Sequence, residues 1–395
     1  VILLRRGESR KRWGEGLFIQ PTPYISGLCY SVFRVEPYIE CGFDCIYCYR
    51  RWYTVKGGIK QVWDFERAAA EVRSAGLISV PFRISTLTDP FQPAEEKEKL
   101  TLKILEIAAR YGYPVVLNTR STLIAREPWR GRILELAHRG LLILQVSIST
   151  ITDEWKKLEP NAPPPDEVLN VAGKLAEKDV PLVIRYQPLV PGLSDVDEIA
   201  EKAMERFNEV GVQHVIVEYL RTDENALPFY EKIAIDKKPY KSKWEYYGVG
   251  GEKGPIKPPI EYRLRKIKVI GELARKKGLK FATCKEGLFS VHTAPDCCGF
   301  YLLEARHILR PTLAEAYNII KQSGSISLEK LRLEIQHLRG FLSGSRVDAY
   351  PRPIRKGLRW HEKVFLKILG DKIQLEKVTQ ELKLKDGELI LSALQ

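Results

Sequence analysis

The sequence predicts an α/β fold: a partial parallel barrel of the (β/α)6 type with a C-terminal, mainly helical domain. Three observations predict it. Between residues 30 and 300, short apolar runs alternate with amphipathic stretches. They recur in units of about 30 residues, the size at which crossovers return parallel strands. Six or seven such units are present, enough for a full or partial barrel rather than an open sheet with reversed strand order. Beyond residue 301 the pattern turns helical.

The elements follow in order. "YSVFRVEPYI" (30–39) is the first strand and "PFRIS" (81–85) the second. A helix is expected over 94–112, then the strand "YPVVLNT" (113–119) and a helix over 128–140. "LLILQVSIS" (141–149) is the clearest strand. Pro163 to Pro165 open a helix running over 166–179. "VPLVIRYQP" (180–188), a helix over 195–211, "VQHVIVEYL" (212–220), a helix over 262–278 and "LKFATC" (279–284) complete the barrel. The predicted division is a basic N-terminal extension (1–29), the barrel (30–300) and the helical domain (301–395). In barrels of this kind the chemistry sits at the C-terminal ends of the strands.

Residues 223–261 insert after the sixth strand and interleave lysines with Tyr240, Trp244, Tyr246 and Tyr247. Stacking faces among cations suit a single-stranded nucleic acid or an extruded base. The alternative is a surface loop packed by its own rings. The tail over 361–394 suggests three short helices, resembling a helix-turn-helix, but from Val364 to Gln395 five lysines face five acids, which leaves no basic face for phosphates and favours core packing or protein contact. Residues 345–363 are strongly basic and could track a nucleic-acid backbone.

The net charge of +13 and pI near 9.2 favour an anionic partner, nucleic acid first. A thermophile's surface ion pairs would also fit 29% charged residues. No run of 18 apolar residues predicts a membrane span. "VILLRRGESRKRW" is too short in its apolar part for a signal peptide, so a cytoplasmic protein is expected. The chain opens with Val and its single methionine is Met204, so the initiator is expected to have been removed or to lie outside the sequence.

Three of the seven cysteines fall within "CGFDCIYC", spaced Cys41-x3-Cys45-x2-Cys48. Three thiols cannot close a structural zinc site, which takes four ligands. They can hold a 4Fe–4S cluster by three irons and leave the fourth iron open to a ligand.

This spacing resembles the signature of the radical S-adenosylmethionine (SAM) superfamily. "CIYCYRR" (45–51), "STLTDPFQPAE" (85–95), "LNTRSTLIARE" (117–127), "VSISTITDEWKKLEPNAP" (146–163) and "YQPLVPGLSD" (186–195) narrow the resemblance to the spore photoproduct lyase-like, or DNA repair photolyase-like, branch. The resemblance spans roughly residues 30–220. It implies that Cys41, Cys45 and Cys48 ligate the cluster and that the open iron takes the methionine end of SAM. Tyr47 would pack near the adenine; Thr88, Asp89, Arg120, Ser147 and Ser149 would line the SAM site. It also implies one-electron cleavage of SAM to methionine and a 5′-deoxyadenosyl radical that takes hydrogen from the substrate, with ferredoxin or flavodoxin as reductant.

The sequence departs from that branch at Thr86, which stands where spore photoproduct lyases carry a hydrogen-donating cysteine. Cys284, Cys297 and Cys298 are candidate catalytic thiols. With Cys29 they could instead ligate a second iron–sulfur cluster, or all four could be core residues. Arg185, Gln187 and Glu218 are candidate substrate contacts. The favoured substrate is nucleic acid; the rivals are a peptide-modifying radical SAM enzyme with an auxiliary cluster and a non-catalytic iron–sulfur nucleic-acid-binding protein.

Overall fold

The computed structural model describes residue 14, residues 16–247 and residues 254–392. Residues 1–13 and 15 of the expected basic extension and residues 248–253 of the insertion lie outside the described residues. Seven parallel strands form one sheet in sequence order: β1 (Phe33–Val35), β2 (Phe82–Ile84), β3 (Val115–Thr119), β4 (Leu142–Ile148), β5 (Leu182–Leu189), β6 (His214–Tyr219) and β7 (Lys280–Thr283). Each strand pairs with the next, and β1 does not pair with β7, so the barrel is partial.

Side chains alternate across these strands. Phe82, Ile84, Leu117, Leu144, Val146, Ile184 and Val217 pack outward against the crossover helices in the main core. Val116, Ile143, Val183, Ile216 and Ala282 point the other way and meet Cys297, Cys298, Phe300 and Leu303, which plug the lumen.

The crossover helices are α1 (Ile59–Ser74), α2 (Leu100–Tyr111), α3 (Trp129–His138), α4 (Pro165–Ala176), α5 (Asp197–Glu209) and α6 (Ile260–Lys276). Helix α1 has no counterpart in the sequence reading. The single helix expected over 94–112 is two, Ala94–Glu98 and α2, broken at Lys99 in the left-handed conformation. Glu95 explains the break. Its buried carboxylate accepts from the backbone amides of Thr101 and Leu102, both at 2.9 Å, and caps α2 while also receiving Trp129 Nε1 at 2.7 Å.

The C-terminal domain packs α7 (Leu313–Ser323), β8 (Ser325–Ser327), α8 (Leu328–His337), α9 (Arg352–Leu369) and α10 (Lys372–Val378) over a core that includes Leu313, Ile320, Phe365 and Leu375. The expected three-helix tail is corrected at its last third. Residues 382–391 fold back as a hairpin, β9 (Leu382–Lys385) and β10 (Glu388–Leu391), and β10 also pairs with β8. The cause is Asp386-Gly387, both at positive φ (50° and 82°), the two-residue turn that joins antiparallel strands.

This domain seats on the segment before β1 and the loop after β7. His361 on α9 bridges Ser26 Oγ (3.1 Å) and the Ile19 carbonyl (2.7 Å). Glu381 accepts from Ser290 N at 3.1 Å, and Thr379 Oγ1 donates to the Gly287 carbonyl at 2.5 Å.

Gly287 sits at φ +70°, and a Cβ there would stand 2.1 Å from the Val378 carbonyl oxygen. Gly287→Ala is therefore expected to destabilise the chain by at least about 2 kcal/mol, seen as a lowered Tm with native-like circular dichroism. A second prediction concerns pH. His214 is buried, stacked on Tyr301, and neither ring nitrogen has a hydrogen-bond partner. Burial, then His292 and Arg185, push its pKa down to about 3. The unfolded chain takes up a proton below the ordinary value near 6.5 that the native chain refuses. The contribution is complete above that pH and is lost on acidification. Relative to His214→Phe, wild-type stability is expected to fall by about 1.4 kcal/mol per pH unit between roughly pH 6 and 4, measured by urea unfolding at each pH.

Candidate functional site

The three-thiol loop leaves the C-terminal end of β1 and is pinned on both sides. Gly42 N donates to Gln92 Oε1 at 2.7 Å, and Gln92 Nε2 donates to the Glu40 carbonyl at 2.7 Å. Ile46 N bonds the Leu158 carbonyl at 2.9 Å, and Cys48 N closes a turn onto the Cys45 carbonyl at 3.0 Å. Cys41, Cys45 and Cys48 are free and half-buried. Burial raises the Cys45 thiol to about 12, against the opposing pull of Arg120; burial and then Asp89 raise Cys41. Such thiols give up their protons in exchange for metal. Among the described residues no three His, Cys, Asp or Glu side chains converge on a single ion. The donor set fits a cubane, in which each thiolate binds a different iron.

Beside this loop, three residues named from the sequence converge on one that was not. Glu159 receives Tyr47 OH, Ser149 Oγ (2.6 Å) and the guanidinium of Arg120. Arg120 also lies over the Tyr47 ring at 5.6 Å. The side chains of Arg120 and Glu159 are only 11% and 4% exposed, so the pair is nearly desolvated. Its sequence signal was weak: Glu159 lies within "KLEPNAP" but outside any strand end.

The loop after β2 is organised by Glu36, fully buried at the end of β1. Its carboxylate accepts from Thr86 N (2.7 Å), Thr86 Oγ1 (2.5 Å), Ser85 Oγ (2.8 Å) and Thr88 Oγ1 (3.3 Å). Ser85 takes φ +60°, a conformation paid by these bonds. Asp89 accepts from Thr119 Oγ1 (2.6 Å), Phe91 N (2.8 Å) and Arg120 N (2.8 Å), and so fixes the backbone that carries Arg120. Burial still leaves the Asp89 carboxyl above its ordinary range. Thr88 thus spends its hydroxyl on the loop, and Ser147 on Asn118 Oδ1 at 3.2 Å.

A polar belt crosses the lumen below. Gln145 Oε1 accepts from Arg83 (2.5 Å) and Arg185 (3.3 Å), and Gln145 Nε2 donates to the Cys298 carbonyl at 2.7 Å. Arg185 also donates to Gln187 Oε1 at 2.6 Å, while Gln187 Nε2 is buried without a partner. Arg83 reaches Cys298 Sγ at 3.4 Å and Arg185 reaches Cys284 Sγ at 3.8 Å. Cys297 lies 3.7 Å from Cys298; that contact, against burial and with help from Arg83, holds the Cys298 thiol down to about 6. Cys29 donates to the Ser31 carbonyl, and Ser31 Oγ receives Arg83, so all four remaining cysteines border one network.

At the rim, Arg221 pairs with Glu218 at 3.2 Å and Lys285 approaches it at 3.9 Å. Burial would raise the Glu218 carboxyl; Lys285, Arg221, Lys257 and Arg185 together bring it down to about 2. Arg221 lies 5.0 Å over both Tyr49 and Tyr247. Neither Arg221 nor Lys285 was named from the sequence.

The insertion's aromatic residues divide. Trp244 is 5% exposed, stacks on Tyr240 at 5.6 Å, and donates to the Pro239 carbonyl; Tyr240 OH donates to the Pro191 carbonyl. These two rings pack their own loop and present no open stacking platform. Tyr246 is 40% exposed and bonds Glu224.

Residues 35–203 match the family model described as Radical SAM superfamily. A radical SAM Nalpha-GlyT isomerase of Pseudomonas phage M6 is 25% identical over 271 residues, covering 65% of this chain and 55% of that protein. An uncharacterised protein of Acidianus two-tailed virus is 30% identical over 165 residues, covering 39% of this chain and 52% of its own length. The chain thus spans little more than half the length of these curated relatives. Among solved structures, a spore photoproduct lyase mutant with dinucleoside spore photoproduct shares the fold at a TM-score of 0.50 with 15% identity, over 67% of this chain and 79% of that one.

Removing Glu159 would leave Arg120 buried without its counter-charge. Glu159→Ala is expected to cost roughly 3–5 kcal/mol, whereas Glu159→Gln keeps an acceptor for the two hydroxyls and costs less. Equal losses in urea unfolding of the two variants would show that the carboxylate charge is irrelevant.

Proposed function

Residues 35–203 form a radical SAM domain, and from that premise we propose that the chain is a radical SAM enzyme acting on nucleic acid. Cys41, Cys45 and Cys48 hold a 4Fe–4S cluster, which with SAM supplies a 5′-deoxyadenosyl radical for hydrogen abstraction. The observation that carries the reading is the three-thiol loop at the end of the first barrel strand, with Arg120, Glu159, Ser149 and Tyr47 gathered beside it.

The chain's own residues supply binding and order. The methionine end of SAM carries an ammonium and a carboxylate, and the Glu159–Arg120 pair offers a carboxylate and a guanidinium side by side. Tyr47 packs under Arg120, and Asp89 and Glu36 hold the two flanking loops. The lumen plug around Phe300 and Leu303 keeps water from the far side of the site.

Support for a nucleic-acid substrate comes from the net charge of +13 and from the dinucleoside named with the similarly folded lyase. The reductant is a one-electron protein such as ferredoxin or flavodoxin, and seven free thiols suit a reducing cytoplasm. No helix among the described residues is long and apolar enough to cross a membrane. A second cluster on Cys29, Cys284, Cys297 and Cys298 is the alternative that the lumenal network keeps in play.

The test is iron, sulfide and 5′-deoxyadenosine after anaerobic reconstitution with SAM and dithionite. The triple variant Cys41→Ala/Cys45→Ala/Cys48→Ala is expected to lose 5′-deoxyadenosine formation and about four irons. Undiminished SAM cleavage would refute the assignment. About four irons left in the triple variant would indicate a second cluster on the lumenal thiols; none left would make them core residues or radical-quenching thiols.

A further inference from the structure

We propose that Arg185, Arg221 and Lys285 form a pocket for a phosphate group of the substrate; the proposal rests on the nucleic-acid reading above. Arg221 and Lys285 lie just past the C-terminal ends of β6 and β7 and flank one carboxylate, Glu218, while Arg185 faces the lumen from the middle of β5. Arg221 is 3.2 Å and Lys285 3.9 Å from that carboxylate, and Arg185 stands on the same lumenal side of the next strand. Glu286, the other acid nearby, is already committed. It pairs with Lys257 at 2.8 Å and with Arg263, and it receives Tyr219 N at 2.9 Å. Three cations therefore share a single counter-charge in a largely desolvated place, where an unmatched charge is costly.

A dianionic or multiply coordinated oxyanion would balance this excess. The donors are fork-shaped guanidinium groups, an ammonium and the unpartnered Nε2 of Gln187. Together they exceed what one carboxylate accepts and suit the several oxygens of a phosphate. The pocket is built rather than incidental. Lys285 is held at φ +57°, which a side chain seldom adopts, and lies 5.5 Å over the Tyr49 ring that Arg221 also covers. Tyr49 directly follows Cys48, which sets the pocket beside the thiol loop, and the Lys285 side chain keeps 17% exposure through which an anion can arrive.

The experiment is calorimetric titration of the reconstituted full chain with inorganic phosphate, a short single-stranded oligodeoxynucleotide and thymidine, in wild type, Arg221→Gln and Glu218→Gln. Arg221→Gln is expected to weaken phosphate and oligonucleotide binding roughly tenfold or more. Glu218→Gln, which removes the competing carboxylate, is expected to tighten both, and thymidine should respond to neither. Opposite signs cannot arise from general loosening of the site. If Arg221→Gln does not fold, Lys285→Gln takes its place. Weakening by both variants, or no change in either, overturns the pocket. So does abolition of phosphate binding by saturating SAM, which would give the cations to the cofactor. Phosphate binding that follows the expected pattern without oligonucleotide binding would uphold the pocket and sink the nucleic-acid reading.

Discussion

The structure depends on one geometric constraint: a parallel strand in a barrel sends alternate side chains to two different environments. Outward positions meet helices and are apolar throughout the main core. Inward positions meet a lumen too narrow for bulk solvent and closed at one end by Phe300 and Leu303. A polar group placed inward must find its partner across that lumen or pay for desolvation. Gln145 shows how this is met. One amide from β4 accepts from arginines on β2 and β5 and donates to the plug, so a single side chain ties three parts of the barrel together.

The same constraint explains what was legible in the sequence. The strands were readable because outward positions and the plugged end of the lumen make nearly continuous apolar runs. Arg185 and Gln187 stood out because they interrupt such a run at alternate positions. The thiol loop was readable because its spacing is local. Glu159 and Glu36 were not, since their main partners are far away in sequence: Tyr47 and Arg120 for Glu159, Thr86 and Thr88 for Glu36. The hairpin at residues 382–391 is a different case. Its Asp-Gly turn was present in the sequence, and the alternation of "LKLK" and "ELIL" agrees with it, but helical periodicity in the preceding residues was carried too far. Tyr240 and Trp244 show the limit of composition, which says that rings are present but not which way they face.

Net charge is a similarly blunt quantity. Many ion pairs here, such as Arg130–Glu127 and Lys156–Asp153, are exposed neighbours on the chain, and such pairs contribute little. The charges that organise the molecule are the few that are buried, and there the balance is local. Lys257 and Arg263 meet Glu286, and Arg120 meets Glu159. One excess stands at the rim around Glu218, where the chain gains nothing by repelling its own cations unless something else occupies the space between them.

The lumenal thiols sharpen this point. Arg83 and Arg185 each approach a cysteine sulfur, a weak acceptor that contributes no charge while protonated. Burial raises Cys29 to about 11 and also raises Cys284, so those sulfurs stay neutral near pH 7. The Cys297 contact, with Arg83 and Arg185, pulls the Cys298 thiol down against burial, so it is the one of these sulfurs shifted toward the thiolate. Arg83 and Arg185 both favour that thiolate, and the direct hydrogen bonds of Arg185 otherwise go to neutral Cys284 and the amides of Gln145 and Gln187. Toward the strand ends the cations are joined by Arg221 and Lys285, which meet Glu218 beside the thiol loop.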